Sequence, residues 1–201
     1  MSKSIEPTRL SKSELRHRQV LSAAADCFRR CGFHGASIAQ ISKQAGMSPG
    51  HIYHFFENKE AIIAAIVEQR VNHALELVAR FDAQPDVFGT LIENVDLGIK
   101  EKTDPDFVGL WLEVLAEAAR NPNVARIVYE ADSKLRQRIK WLEARAHESR
   151  GVDTQVDPDA ATEVIMALFE GLGNRIVQNP HMDMTEIEKV MRIALQGILE
   201  A

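Results

Sequence analysis

An all-α fold is predicted by three features of this 201-residue chain. Apolar residues recur at three- and four-residue steps along most of it, strand-like alternation is absent, and only seven prolines and eleven glycines interrupt it. The first helix is entered near Ser13-Glu14-Leu15-Arg16 and carries Val20, Leu21, Ala24, Phe28 and Cys31 on one face, with Gly32 as its stop. Ser37 is a natural N-cap for a second, short helix whose face holds Ile38, Ile41 and Ala45 before Gly46. Ser48 can cap a third, with Pro49 at the first helical position, where a missing amide proton costs nothing. After Asn58 a longer run, 59 to about 81, lines Ile63, Val67, Val71, Ala74 and Val78 along one side.

Beyond Pro85 the pattern stays helical over about 86–101, 105–120, 122–149, 157–178 and 184–200. The breaks fall at Pro105, Asn121-Pro122, Gly151 through Pro158, and Asn179-Pro180. About nine helices are therefore expected, three in a small N-terminal head and the rest in a larger body, with the division at 58/59.

Charge is distributed unevenly. The whole chain has a formal net charge of −5, yet residues 1–60 hold nine Lys/Arg against five Asp/Glu, and residues 61–201 hold fifteen against twenty-four. A basic head on an acidic body suits a polyanionic partner for the head, because nucleic-acid binding needs cations to displace counterions. Two cysteines one helical turn apart, Cys27 and Cys31, make no disulfide framework, and a reducing cytoplasm is expected. The polar start has no signal-peptide core, and no stretch approaches the roughly 18 apolar residues of a membrane span, so no membrane partner is expected.

Two short helices joined by a tight glycine turn, 37–45 and 49–55, make a helix-turn-helix, a motif that lays its second helix in the DNA major groove. The run from Phe33-His34-Gly35-Ala36-Ser37 through Ala45-Gly46-Met47-Ser48-Pro49-Gly50 to Tyr53-His54-Phe55-Phe56-Glu57-Asn58-Lys59-Glu60 resembles the TetR family of transcriptional regulators. The resemblance covers about residues 14–65, while 107–123 (FVGLWLEVLAEAARNPN) resembles the AcrR-like branch. It implies a homodimeric repressor that binds palindromic double-stranded DNA and is released by a small-molecule effector, apolar or cationic.

Residue by residue, the resemblance implies that Ser48, Pro49, Gly50 and His51 face the groove, with Tyr53 and His54 against phosphate or a thymine methyl. Lys59 matches the family's phosphate-contacting lysine, Ser37 and Gln40 touch the DNA backbone, and Arg9, Lys12 or Arg16 reaches an adjacent groove. Rival readings stand beside these. Tyr53 can pack on the head itself, and His51 and His54 sit one turn apart as metal ligands do, but no carboxylate or thiol completes a set. Ile52, Phe55 and Phe56 are assigned to the core. Cys27-x3-Cys31-x2-His34 reads as a buried cysteine stripe before it reads as a redox or zinc site, and no metal or cofactor is expected.

A palindrome reader needs a self-complementary face. Ile165, Leu168 and Leu172, with Ile187, Val190, Met191, Ala194, Leu195 and Ile198, offer two apolar stripes for a four-helix dimer bundle, with Gly171 and Gly173 permitting close approach. The same stripes would also serve a monomer core. Candidate walls of an effector pocket are Phe88, Phe107, Trp111, Leu115, Tyr129, Met166 and Phe169. Glu113 and Glu117 would attract a cation if they faced inward, or would pair with a surface arginine such as Arg120. No glycine-rich phosphate loop, G-x-S-x-G or His-Glu-x-x-His is present, so an enzyme is not expected; a helical protein-interaction adaptor without DNA binding is the alternative.

Overall fold

Helix α1 (Lys12–Gly35) starts two residues earlier than its apolar pattern suggests, because Ser11 and Glu14 form a reciprocal capping box. The Ser11 Oγ accepts from the Glu14 amide at 3.2 Å, and Glu14 returns a carboxylate to the Ser11 amide at 2.7 Å. Gly32, at φ 68°, kinks the helix instead of ending it. This computed structural model describes residues 11–151 and 154–201; Arg9 lies outside the described residues.

Three more helices follow in quick succession: α2 (Ile38–Ala45), α3 (Pro49–Phe55) and α4 (Lys59–Asp82). Gly46, left-handed at φ 62°, closes α2 and turns the chain within three residues into α3. Val20, Phe28, Ile41, Ile52, Ile62 and Ile63 form the core these helices share, each at most 1% exposed. The chain divides between Ile66 and Val67, inside α4, into two compact units.

The second unit contains the rest of α4 and six further helices: α5 (Val87–Glu93), α6 (Val95–Thr103), α7 (Pro105–Ala118), α8 (Pro122–Arg150), α9 (Pro158–Gln178) and α10 (Met184–Leu199). Among the described residues there are thus ten helices where nine were expected. The additional one arises at Asn94, which breaks the run over 86–101: its backbone leaves the helical region at φ −108°, ψ 24°, and its side-chain Nδ2 donates to the Thr90 carbonyl at 2.9 Å, the local competition with helix that makes Asn a helix breaker. Three of these helices begin with an Asp or Asn cap followed by proline: Asp104-Pro105, Asn121-Pro122 and Asp157-Pro158. Helix α8 packs on α5, α7 and α9, α9 packs on α6, and α10 closes over α5 and α6. Their shared core gathers Val87, Phe88, Leu142, Ile165, Met191, Leu195 and Leu199.

Two glycines set how close α6 and α9 come. A Cβ on Gly173 would stand 2.7 Å from the Lys102 carbonyl oxygen, and one on Gly98 would stand 2.7 Å from the Phe169 ring. Gly173, expected at a contact between protomers, therefore serves a contact within one. Backbone cannot yield as a ring can, so Gly173→Ala should lower stability by about 1–3 kcal/mol and Gly98→Ala by less, despite the helix propensity alanine adds. Equal effects in urea unfolding would refute this account of the α6–α9 contact.

Candidate nucleic-acid interface and buried cavity

In the first unit, the exposed surface of α3 is built by its own caps. The Ser48 Oγ accepts from the His51 amide at 3.3 Å, Pro49 occupies the first turn, and Gly50 has open space where a Cβ would be. Ile52 is fully buried and anchors the helix, which leaves Tyr53, 55% exposed, and His54 on the surface. Tyr53 is therefore not part of the head's core. His51 is half-buried and lies parallel to Phe55, with ring centroids 5.8 Å apart. Arg16 donates to its Nε2 at 3.1 Å, which requires the proton to sit on Nδ1. Arg16 thus joins α1 to the exposed surface of α3.

Ser37 and Gln40 cap α2 for each other. The Ser37 amide donates to Gln40 Oε1 at 2.7 Å, and the Gln40 amide donates to Ser37 Oγ at 3.2 Å. Both stay exposed, but their oxygens already serve the helix end.

Lys59, expected at phosphate, makes two hydrogen bonds within the head. Its Nζ donates to the carbonyls of Phe33 at 2.7 Å and Ala36 at 2.9 Å, and lies 4.4 Å from the Phe33 ring centre. The kink at Gly32 and the end of α1 leave carbonyls without helical partners, and an ammonium satisfies them. Lys59 therefore ties the first turn of α4 to the α1–α2 junction.

The second unit holds a partly open cavity of about 130 Å³, on the scale of the roughly 150 Å³ apolar cavity known to admit benzene. Most of its wall is aliphatic or aromatic, including Leu77, Phe81, Leu135, Ile139, Met166 and Phe169. Met166 and Phe169 are thus where a pocket wall was expected, but the other expected wall residues are elsewhere. Phe88 is buried in the core beneath the Arg150 guanidinium, 4.4 Å from its ring centre. Tyr129 is 66% exposed. Phe107, Trp111 and Leu115 border a separate recess of about 40 Å³. Glu117 is buried at the end of α7, where Oε1 accepts from Asn121 Nδ2 at 3.0 Å and Oε2 lies 3.8 Å from Arg120. These positions follow from helix rotation: α7 directs Val108, Leu110 and Val114 into the core and turns Leu112 and Leu115 outward.

Four polar side chains border the cavity: Asn94, Glu101, Lys102 and Glu143. Beside it, the Arg70 guanidinium sits 3.0 Å from the Phe107 ring centre, and burial lowers its pKa to about 10 against the opposing pull of Glu101 and Glu170. Lys102 donates to Glu170 at 3.3 Å. Glu143, 4% exposed, accepts from the Thr162 hydroxyl at 3.1 Å through Oε2, while its Oε1 has no hydrogen-bond partner in the protein. Burial pushes its carboxyl up to about 7, against the Thr162 hydrogen bond and the Lys140 charge, which pull it down. Glu143 was not singled out from the sequence, yet it left a trace there: an acid on the stripe Ile139, Leu142, Glu143, Ala146, where every other member is apolar.

The expected dimer stripes divide in two. Ile165, Met191 and Leu195 are buried in the protomer's own core. Leu168, Leu172, Ile187, Ala194 and Ile198 are half-buried, and Val190 is 64% exposed. The exposed apolar side chains on the two helices also include Val164, Val177 and Ile193, the last 71% exposed.

Two measurements check these placements. Lys59→Ala leaves two carbonyls without their charged donor, so it should lower stability by about 2–3 kcal/mol in urea unfolding while leaving the salt dependence of any DNA binding unchanged; a flattened salt slope with full stability would return Lys59 to phosphate. Glu143 ionises near 4.3 in an unfolded chain and near 7 here, so the folded state holds the proton more tightly. Its contribution to stability is full below about pH 4 and falls as pH rises to about 7. Glu143→Gln should therefore be the more stable protein at pH 8, by about 1–2 kcal/mol, with the gap closing towards pH 5; a gap independent of pH in thermal unfolding would contradict this.

The model of the tetR family of bacterial regulatory proteins matches residues 20–66, and that of the C-terminal region of BetI-type transcriptional repressors matches 95–200. The body thus matches the BetI type where the sequence suggested an AcrR-like branch. The HTH-type transcriptional regulator UidR of Escherichia coli (strain K12) is 28% identical over 185 residues, 91% of this chain and 92% of UidR. Among solved structures, Salmonella enterica GusR superposes with a TM-score of 0.79 at 27% identity, covering 96% of this chain and 99% of GusR. A transcriptional regulator from Saccharomonospora viridis in complex with choline superposes with a TM-score of 0.70 at 25% identity, covering 94% and 97% of the two chains. No described helix is long and apolar enough to cross a membrane. With its helix-turn-helix, its helical body and a C-terminal match spanning more than half its length, the chain belongs to the tetR family and is a transcriptional repressor of that family with a BetI-type C-terminal region.

Proposed function

We propose that residues 1–58 read palindromic operator DNA, and that residues 59–201 dimerise the chain and bind a small effector that releases it. The observation that carries the reading is the exposed surface of α3. Tyr53 and His54 stand on it, Gly50 leaves it bare, and the buried Ile52 fixes which side of the helix faces out. Pro49, Ser48 and His51 complete the groove-facing end, with Ser37 and Gln40 placed to meet the DNA backbone. Arg16, which orients His51, adds a cation beside it.

Dimerisation is assigned to the outer faces of α9 and α10, through Val164, Leu168, Val177, Val190 and Ile193. Apolar side chains this exposed on two adjacent helices gain stability from a symmetric partner. The effector is assigned to the 130 Å³ cavity, a reading supported by the choline-bound relative of similar fold. To release DNA, the effector must bind the released conformer more tightly than the DNA-bound one, and DNA must weaken effector binding by the same factor.

Mobility shift on DNA from upstream of the gene tests the reading. The wild-type chain is expected to retain a palindromic fragment at low salt. Ile193→Asp is expected to elute as a monomer and to lose at least 10-fold in affinity, because two linked heads bind far more tightly than one. Failure of the wild-type protein to retain any fragment would sink the DNA-binding function; a dimeric Ile193→Asp would sink the interface.

A further inference from the structure

Glu101 Oε1 and Glu143 Oε1 are both buried without a hydrogen-bond partner, but only Glu143 has no buried cation near it. Arg70 and Lys102 lie within the fields of Glu101 and Glu170, two cations against two acids. Lys140, the cation whose charge acts on Glu143, is held by Asp159 at 2.6 Å. Glu143 is left with a neutral partner, Thr162, whose hydroxyl also reaches the Pro158 carbonyl at 2.9 Å. Its Oε1 is an acceptor with no donor supplied by the protein, in a wall that is apolar apart from Asn94, Glu101 and Lys102. On α8 its stripe neighbours Ile139, Leu142 and Ala146 are apolar and belong to the core.

We propose that Glu143 is the recognition group for the effector, and that the effector is a small protonated primary or secondary amine whose N–H donates to Glu143 Oε1 while an apolar body of about benzene size fills the cavity. The inference rests on the reading of this cavity as the effector site. A protonated amine supplies what the site lacks, a hydrogen-bond donor and a compensating positive charge. The cost of desolvating the carboxyl is already met in the folded protein, so the pair that forms is pre-organised on one side. Because burial holds the carboxyl near neutral pH in partly protonated form, binding drives it to the carboxylate and its proton leaves to solvent. The ammonium enters with its own charge, and the pair within the cavity is neutral. The groups facing Glu143 are Glu101 and Lys102 from α6, Asn94 at the start of α6, Thr162 from α9 and Lys140 on its own helix; the lining from α4 and α10 is apolar. Amine affinity should therefore rise with pH up to about 7 and then level off.

Calorimetric titration of the full chain at pH 7 with four probes tests this: isopentylamine, its neutral counterpart isopentanol, its anionic counterpart isovalerate, and tetramethylammonium, a cation without an N–H. Isopentylamine is expected to bind at least 10-fold more tightly than the alcohol, tetramethylammonium to fall between them, and isovalerate not to bind. The heat of amine binding should vary with the ionisation enthalpy of the buffer, which reports the released proton. Glu143→Gln, nearly isosteric and expected to fold, should lose at least 10-fold for the amine and less than about threefold for the alcohol, with no proton release. Alcohol binding without an advantage for the amine, equal binding of tetramethylammonium, or an unaltered Glu143→Gln would overturn the proposal while the cavity remained the effector site. No binding by any probe would overturn both.

Discussion

The structure depends on where its helices are made to stop and start. A helix end leaves amides or carbonyls without partners, and a chain that runs through ten helices within about 190 described residues must satisfy all of them. Local chemistry does this almost throughout. Ser37 and Gln40 bind each other across the first turn of α2, Gly46 closes it in the left-handed region, and Ser48-Pro49 opens α3 three residues later. The tightness of that junction is what lets α3 stand out from the head with Tyr53 and His54 on its outer side. At the other end of the head, the carbonyls orphaned by the kink at Gly32 take a side chain instead of a turn, and Lys59 is drawn inward to serve them.

This dependence on local chemistry explains what was legible in the sequence. Caps, prolines and glycines act over three or four residues, so the helix-turn-helix and the boundaries at Pro105, Pro122 and Pro158 could be read directly. Asn94 shows the limit: the apolar period runs through it unbroken, and only its side-chain bond to Thr90 reveals the break. Lys59 shows another, since the motif fixes its position on α4 but not the rotamer that carries its ammonium to Phe33 and Ala36.

The body's sites were far less legible, because a cavity belongs to no single helix. Its wall draws on α4, α6, α8, α9 and α10, and whether a residue faces it depends on rotations of about 100° per residue that apolar composition alone does not resolve. Phe107, Trp111 and Tyr129 were plausible walls by size and chemistry, but Tyr129 lies on the solvent side of α8, and the other two serve as a platform for Arg70. The same degeneracy affected the dimer stripes. Ile165 and Met191 lie one residue, and Leu195 two, round their helices from Val164, Val190 and Ile193, and that rotation separates a protomer's core from its outer face. The informative residue was the one that broke the pattern: an acid on a stripe of isoleucine, leucine and alanine.

Under the proposed function, Lys59 and Glu143 belong to one problem. An effector in the cavity acts on DNA only if its two bound forms differ in free energy between the released and the gripping conformer. The element that belongs to both units is α4, which lines the cavity with Ala74, Leu77, Val78 and Phe81 and begins, at Lys59, on the carbonyls of the α1–α2 junction. The two hydrogen bonds of Lys59 hold the start of α4 to the chain that leads into the DNA-reading motif. Under that reading, Lys59→Ala leaves the effector's affinity for the cavity intact, and any change in what effector binding does to DNA measures the part the start of α4 plays in the coupling.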